Sequence, residues 1–289
     1  MLGFIGLGTM GFHMAGHLHH AQPGQVSVWN RSSDTSQRWH QQFGGHVQSH
    51  FEQIGQDAQV VFLCVGRDED VESICLSKGG LVDQLNAGSI VVDHTTTSAG
   101  LARRVQSALQ VKGIHFIDAP VSGGEAGAKQ GKLSVMAGGD SVVFEQIKPY
   151  LNAYAKQVTY MGQSGSGQLA KMVNQICIGG ILQGLSEAIQ FAEAESLDVD
   201  TLLSAISGGA AQSWQMDHRA KTMHQRDFDF GFSLDWMIKD LSYCLEQAAS
   251  NGTDLSATQL ILEQYQSLSK QQHGAKDTSA LILDWDAKR

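Results

Sequence analysis

From the first residues to about residue 163, short runs rich in β-branched and aromatic residues alternate with longer segments whose apolar positions recur at helical spacing. The strand-like runs are "LGFIG", "QVSVWN", "QVVFLCVG", "GSIVVDHT", "IHFIDAPV", "KLSVMAGG" and "QVTYMG". Several are apolar at successive positions, as strands covered by helices on both faces must be. Strands alternating with helices predict a parallel sheet with crossover helices, an α/β doubly wound architecture. After Gly167 the strand-like runs stop, and the rest reads as helices separated by "SLDVD", "SGGAAQS", "RDFDFGF" and "SNGTDLS". That break predicts two domains, 1–163 and 164–289, the second all-helical and entered through one long helix. No tandem repeat interrupts the pattern, and the final "DWDAKR" is expected to be a loose tail.

Composition narrows the function classes. The chain has 289 residues, 42% of them hydrophobic, and a formal net charge of -9. An acidic chain of this kind does not display the basic face that a nucleic-acid backbone requires, so no nucleic-acid partner is expected. Four cysteines, Cys64, Cys75, Cys177 and Cys244, lack any zinc-type or C-x-x-C spacing. Three lie in apolar runs and are expected in the core as reduced thiols, consistent with a cytoplasmic chain. The opening "MLGFIGLG" carries no charged segment followed by an apolar leader, and no stretch reads as a membrane span.

The string "FIGLGTMG" places Gly6, Gly8 and Gly11 in G-x-G-x-x-G spacing directly after a strand and at the start of a helical pattern. Gly6 permits the tight turn, Gly8 lets the backbone approach a pyrophosphate, and Gly11 allows close helix-to-strand packing. The helix N-terminus adds free N–H groups and partial positive charge. A plain glycine turn is the competing account, but position on the first strand and ahead of a helix favours a dinucleotide. A free ribose diol usually meets an acid at the end of the second strand. Here the strand ends "VWNRSS": Asn30 is neutral, Arg31 can contact a phosphate bidentately, and Ser32 adds a hydroxyl. NADP(H) is therefore expected over NAD(H), a solvated loop arginine being the alternative.

In "GQSGSGQLAKMVNQICIGGILQGLSEAIQFAEAE", Lys171, Asn174 and Gln175 share one helical face, while Leu169, Met172, Val173, Ile176, Ile178, Ile181, Leu182 and Leu185 fill almost everything else. Such a helix is expected to be buried around its circumference. An ionised lysine in a core costs several kcal/mol unless paired. Burial lowers a lysine's pKa, by up to about 3 to 5 units at full burial, which suits proton transfer. Snorkelling to solvent from near the helix start is the equal alternative on pattern alone.

The strings "GFIGLGTMG", "VWNRS", "VVDHTTTS", "FIDAPVSGG", "GSGQLAKMVNQ" and "WMIKDLSYCLEQA" occur in the order found in the β-hydroxyacid dehydrogenases, and the resemblance covers essentially the whole chain. That group includes 3-hydroxyisobutyrate dehydrogenase, tartronate semialdehyde reductase and the glyoxylate/succinic semialdehyde reductases. The resemblance implies a Rossmann-type domain, a long helix into an all-helical domain, an active site between them, and a homodimer or homotetramer acting on a small carboxylate-bearing substrate. It implies that Lys171 is the catalytic lysine, exchanging a proton with the substrate oxygen. It also implies that Ser122, Gly123 and Gly124 of "VSGG" receive the substrate carboxylate, through a hydroxyl and backbone N–H groups. A glycine turn after a strand is the alternative for that stretch.

Where the family usually has D-x-S-T, this chain has Thr95 and Thr96 after Asp93. By the resemblance Thr96 contacts the nicotinamide ribose or the substrate, and Asp93 is structural. Lys239, next to Asp240, matches a lysine that closes over the cofactor, a surface lysine being the alternative. Thr9, Met10 and Val65 complete the cofactor contacts. Many relatives carry K-x-x-N-N, whereas here Asn174 is followed by Gln175. Which of the two amides orients the substrate hydroxyl stays open, with Asn174 ranked first. Lys171 argues against imine reductase chemistry, which generally lacks it, and against a non-catalytic dinucleotide sensor. Selectivity is expected to rest on the helical domain, near Trp214, Met237 or Phe232. His13, His17, His19 and His20 lack the H-E-x-x-H pattern and read as exposed helix histidines, so no metal is expected. Asp68, Glu69 and Asp70 read as a helix start rather than a cation site.

Overall fold

The computed structural model describes residues 1–286. It divides into two compact units, one from Met1 to Lys171 and the other from Met172 onward. The first unit holds strands β1 (Leu2–Ile5), β2 (Val26–Trp29), β3 (His46–Val47), β4 (Val60–Leu63), β5 (Ile90–Asp93), β6 (His115–Asp118), β7 (Val121–Ser122), β8 (Leu133–Gly139) and β9 (Ala155–Gly162). Its helices are α1 (Gly11–Ala21), α2 (Ser33–Phe43), α3 (Phe51–Asp57), α4 (Asp68–Leu76), α5 (Leu81–Gln84), α6 (Ala99–Val111), α7 (Gly124–Lys129) and α8 (Ser141–Leu151). Helix α9 (Ser166–Ala194) begins in this unit and continues into the second. There follow α10 (Val199–Ile206), α11 (Trp214–Gln225), α12 (Leu234–Asn251), α13 (Ser256–Leu268), a 3-10 turn at Thr278–Ile282 and α14 (Leu283–Asp286).

The sheet order is β3-β2-β1-β4-β5-β6-β8-β7, with β9 paired to β8. Strands β1 to β6 run parallel, so their carboxyl ends, where α/β folds bind ligands, carry the glycine turn, Asn30, Val65 and Thr96 to one edge. Side chains alternate between two cores: Phe4, Phe62 and Val92 lie in one, Ile5, Val61, Leu63 and Val91 in the other. This is why these strands are apolar at successive positions.

The sheet stops being parallel at its far end. The run "IHFIDAPV" is two strands, interrupted at Pro120, whose missing N–H cannot continue a ladder. Strand β8 then runs antiparallel to both β6 and β7. The two-residue β3 was too short to leave a pattern.

His94, just beyond β5, locks this region. Its Nδ1 lies 2.7 Å from the Ala119 carbonyl, which can only accept, so Nδ1 carries the proton and Nε2 accepts from the Tyr154 hydroxyl at 2.8 Å. The ring also stacks on Phe62 at 6.0 Å. Burial pushes the imidazole down to about 4 from 6.5. The folded chain therefore refuses a proton that the unfolded chain accepts. Stability from this neutral site is complete above about pH 6.5 and is lost as pH falls toward 4, by an amount on the order of 3 kcal/mol. Asp93 and Asp118 are raised by burial to about 7 and about 6, and their linkage runs the other way, favouring the folded state at low pH. The test is therefore a difference: the Tm gap between wild type and His94→Phe should narrow on going from pH 7 to 4.5. A gap independent of pH would remove His94 from the balance.

Three expectations need correction. Helix α9 is not buried around its circumference. Met172, Leu182 and Leu185 are buried, but Val173 is 62% exposed and Phe191 67%, with Cys177 and Ile181 also exposed. Among the cysteines Cys75 and Cys244 are buried, and Cys64 is half-buried. The tail is not loose through residue 286. Arg226 donates to Asp286 at 2.8 and 3.0 Å and to Glu193 at 2.9 and 3.0 Å, while Gln190 donates to Asp286 at 2.8 Å. The rest of the tail lies outside the described residues.

Candidate active site

The first unit carries a phosphate cradle at the end of β1. Gly6 turns the chain at φ +95°, and a Cβ on it would strike the Cys64 carbonyl. A Cβ on Gly11 would strike the Gly6 carbonyl, which fixes how closely α1 approaches its strand. At Gly8 a Cβ would meet nothing within 4 Å. The chain is thus close-packed at the first and third glycines and open at the second, where a pyrophosphate has to come near the backbone. Thr9 is exposed and Met10 half-buried, and no acidic side chain occupies the first turn of α1 to compensate its dipole. These residues fit a dinucleotide.

Asn30 has a specific job at the end of β2. Its Oδ1 accepts from the Leu7 N–H at 2.9 Å and its Nδ2 donates to the Ser32 carbonyl at 3.2 Å, joining the glycine turn to the next loop. Arg31 and Ser32 are exposed beside it, and Ser32 begins α2 without a side-chain cap bond. The sequence places Asn30 among the cofactor contacts with Arg31 and Ser32; its grip on Leu7 depends on the parallel pairing of β1 and β2 and is not visible along the chain.

The three threonines after β5 separate into two kinds. Thr95 is buried, and its hydroxyl accepts from the Val65 N–H at 3.0 Å while its own N–H donates to Asp93 at 2.9 Å. Thr97 is buried as well, but Thr96 between them is partly exposed. Asp93 is a buried acceptor in this turn.

The "DAPVSGG" segment follows the same edge. Ser122 ends β7 half-buried, and Gly123 and Gly124 both have positive φ, +133° and +62°. Both are exposed and lack a Cβ, so a ligand can approach the backbone closely here. Asp118, at the start of the segment, is fully buried and accepts from Gly165 N–H at 2.7 Å and Gln168 N–H at 3.0 Å. It thereby fastens the first turn of α9. Its role was not foreseen from sequence, because its partners lie 47 and 50 residues away.

Lys171 is buried, only 8% exposed, on the second turn of α9. Its stem is packed in the protein, and it has interacting neighbours of its own. In the second unit Gln175 is buried, and both ends of its amide are engaged. Its Oε1 accepts from Asn174 Nδ2 at 2.8 Å, and its Nε2 donates to Asp240 at 2.6 Å. Asp240 in turn lies 3.3 Å from the Lys239 ammonium. Lys239 is no ordinary surface lysine: its side chain is 14% exposed, with its ammonium 5.3 Å from the Trp236 ring centre and 5.5 Å from that of Tyr243. Met237 is fully buried against Gln175, Phe232 is half-buried, and Trp214 is exposed, stacked on His218 at 4.3 Å.

The acidic and histidine clusters have local partners. Asp68 accepts from Ser98 N–H and hydroxyl at 2.9 and 2.6 Å, and Asp70 accepts from Arg67 N–H at 3.2 Å. His17 Nε2 faces the carbonyls of Ala128 and Lys129 at 3.1 and 3.0 Å. His13, His17 and His19 are half-buried rather than exposed, since α1 packs on α2 and α7.

Comparison with known proteins agrees with this geometry. The NAD binding domain of 6-phosphogluconate dehydrogenase matches residues 1–162. The NAD-binding domain of NADP-dependent 3-hydroxyisobutyrate dehydrogenase matches residues 165–284. An uncharacterized oxidoreductase of Shewanella frigidimarina is 44% identical over 99% of this chain and 98% of its own length. A probable 3-hydroxyisobutyrate dehydrogenase-like protein of Arabidopsis thaliana is 39% identical over 98% of this chain and 84% of its own. Among solved structures, Psf3 in complex with NADP+ and 2-OPP superposes with a TM-score of 0.89 at 26% identity, covering 98% of this chain and 99% of that one. With a nucleotide cradle in place and matches spanning both units, the chain belongs to the β-hydroxyacid dehydrogenase family and is an NAD(P)-dependent oxidoreductase.

Proposed function

We propose that this enzyme is of the 3-hydroxyisobutyrate dehydrogenase type, transferring hydride between NADP(H) and a small β-hydroxy acid or its semialdehyde. The observation that carries the reading is the buried Lys171 on the helix whose first turn is bonded to the loop of Thr96. The cofactor, when bound, supplies or accepts the hydride. In oxidation Lys171 takes the hydroxyl proton as the substrate carbon gives up its hydride, and in reduction it returns a proton to the aldehyde oxygen. Asn174 holds that oxygen, and Gln175, tied to Asp240, holds Asn174. Ser122, Gly123 and Gly124 take the carboxylate, Thr96 meets the nicotinamide ribose or the substrate, and Lys239 reaches the cofactor.

Arg31, exposed beside an Asn30 that is already occupied with the glycine turn, supports NADP(H) over NAD(H). Kinetics with 3-hydroxyisobutyrate, succinic semialdehyde, glyoxylate and tartronate semialdehyde, each with both cofactors, test the reading. The best substrate should be one of the acids that carries its reacting carbon β to the carboxylate, and NADPH should outperform NADH. Glyoxylate or succinic semialdehyde as best substrate would place the enzyme with the reductases instead. Losing a charge-assisted contact is worth about 1.5 to 3 kcal/mol, so Arg31→Ala should raise the KM for NADPH roughly 10- to 100-fold and leave that for NADH nearly unchanged. Faster turnover with NADH in the unsubstituted enzyme would defeat the cofactor assignment.

A further inference from the structure

Gln168 is fully buried, and its side-chain amide holds the two peptide groups on either side of Thr96. Nε2 donates to the Thr95 carbonyl at 2.8 Å, and Oε1 accepts from the Thr97 N–H at 3.0 Å. We propose that Gln168 is a positioning residue that sets Lys171 relative to Thr96. The inference rests on the reading above, in which both of these residues face substrate and cofactor.

Two hydrogen bonds from one planar amide fix orientation as well as distance, so the loop can neither slide along α9 nor rotate about a single contact. Lys171 follows Gln168 by three residues, on the same face and about 4.5 Å further along the axis. The helix is secured independently at the same turn, where the Asp118 carboxylate accepts from the Gly165 and Gln168 N–H groups. The surroundings leave no slack. A Cβ on Gly167 would lie 2.5 Å from the Met136 carbonyl and 2.6 Å from that of Asp118, and one on Gly138 would lie 2.9 Å from Asp118 Oδ1. Of the three threonines in the loop, the amide brackets the one that is partly exposed. A contact serving only to pack α9 would have no need to bracket it. Proton transfer needs reacting atoms held to within fractions of an ångström, and a misplacement of about 1 Å can cost on the order of 100-fold.

The test is a double-variant cycle on the full-length enzyme, with folding checked by circular dichroism and Tm. Gln168→Glu keeps the size and one acceptor but presents an oxygen to the Thr95 carbonyl. It should lower kcat roughly 10- to 100-fold and raise the KM for NADPH by clearly less than that, because the glycine turn that receives the pyrophosphate is untouched while the Thr96 loop is not. Lowering the pH should recover part of the loss relative to wild type, since a protonated carboxyl can again donate to Thr95. Added to Lys171→Met, the substitution should change the residual rate less than about twofold, because it acts through the lysine. A folded Gln168→Glu enzyme with wild-type kcat across the pH range, alkaline pH included, or losses that multiply in the double variant, would overturn the positioning role. If Lys171→Met turns over normally, the catalytic reading and this inference fall together. If Lys171→Met is inactive and Gln168→Glu is not, only this inference falls. Should Gln168→Glu not fold, Gln168→Asn, a methylene too short to reach both peptide groups, is read through the same cycle.

Discussion

Lys171→Met should cut kcat by about 10²- to 10⁴-fold, the usual worth of a positioned proton-transfer group. Methionine keeps an unbranched, apolar stem of similar reach, so the packing of a residue that is only 8% exposed is largely retained while the ammonium is removed. Nothing in the nucleotide cradle changes. Gly6, Gly8 and Gly11 belong to the β1–α1 turn, and Asn30 organises that turn from β2. Titration with NADPH, followed by nicotinamide fluorescence, should therefore give a dissociation constant within about twofold of wild type. The loss should appear in kcat and in kcat/KM alike, the signature of an interaction made in the transition state. Turnover near the wild-type level in a folded variant would exclude proton transfer by this lysine.

The second large effect is a contrast between two glycines of the same motif. Gly11→Ala should lower both stability and dinucleotide affinity, because its Cβ would lie 2.0 Å from the Gly6 carbonyl, a backbone atom that moves only if the turn does. Overpacking of this kind costs about 1 to 3 kcal/mol, and the displaced turn should weaken NADPH binding at least tenfold. Gly8→Ala should behave differently. A methyl there meets nothing within 4 Å in the protein, so Tm should stay within a degree or two of wild type, yet it enters the space a pyrophosphate has to occupy. Affinity for NADPH should fall by roughly tenfold or more without a stability cost. Unchanged affinity in Gly8→Ala would remove the second glycine from the phosphate cradle.

The same separation of roles runs through the rest of the site. Thr95 and Thr96 are neighbours with similar chemistry, but the Thr95 hydroxyl is bonded to the Val65 N–H while Thr96 is partly exposed. Asn174 and Gln175 are adjacent amides, and the longer one extends to Asp240. The length of Gln175 thus has a physical sense: its amide reaches a carboxylate while its oxygen steadies Asn174.

Much of this was legible along the chain, because the information is local. Glycine spacing after a strand, the missing acid at the end of β2, and the change from strand-like to helical periodicity near Gly167 each depend on residues close in sequence. Apolar runs identified the buried strands because a strand between two helical layers is apolar on both faces. What stayed hidden depends on partners far away. Gln168 reaches Thr97 and Thr95 across 71 and 73 residues, and Arg226 holds Asp286 across 60. The reversal of the chain between β7 and the antiparallel β8, through the connection that holds α7, leaves no mark in the apolar pattern.

By itself, then, the sequence determined the α/β-then-helical order, the family and the chemical types available for catalysis, since periodicity and motif spacing are written in neighbouring residues. Only the tertiary structure decided which side of α9 is buried, that Lys171 lies inside, and which amide or hydroxyl is occupied structurally. Those outcomes depend on what each side chain meets across space, and a helix that is apolar all round offers no local sign of which face will find a partner.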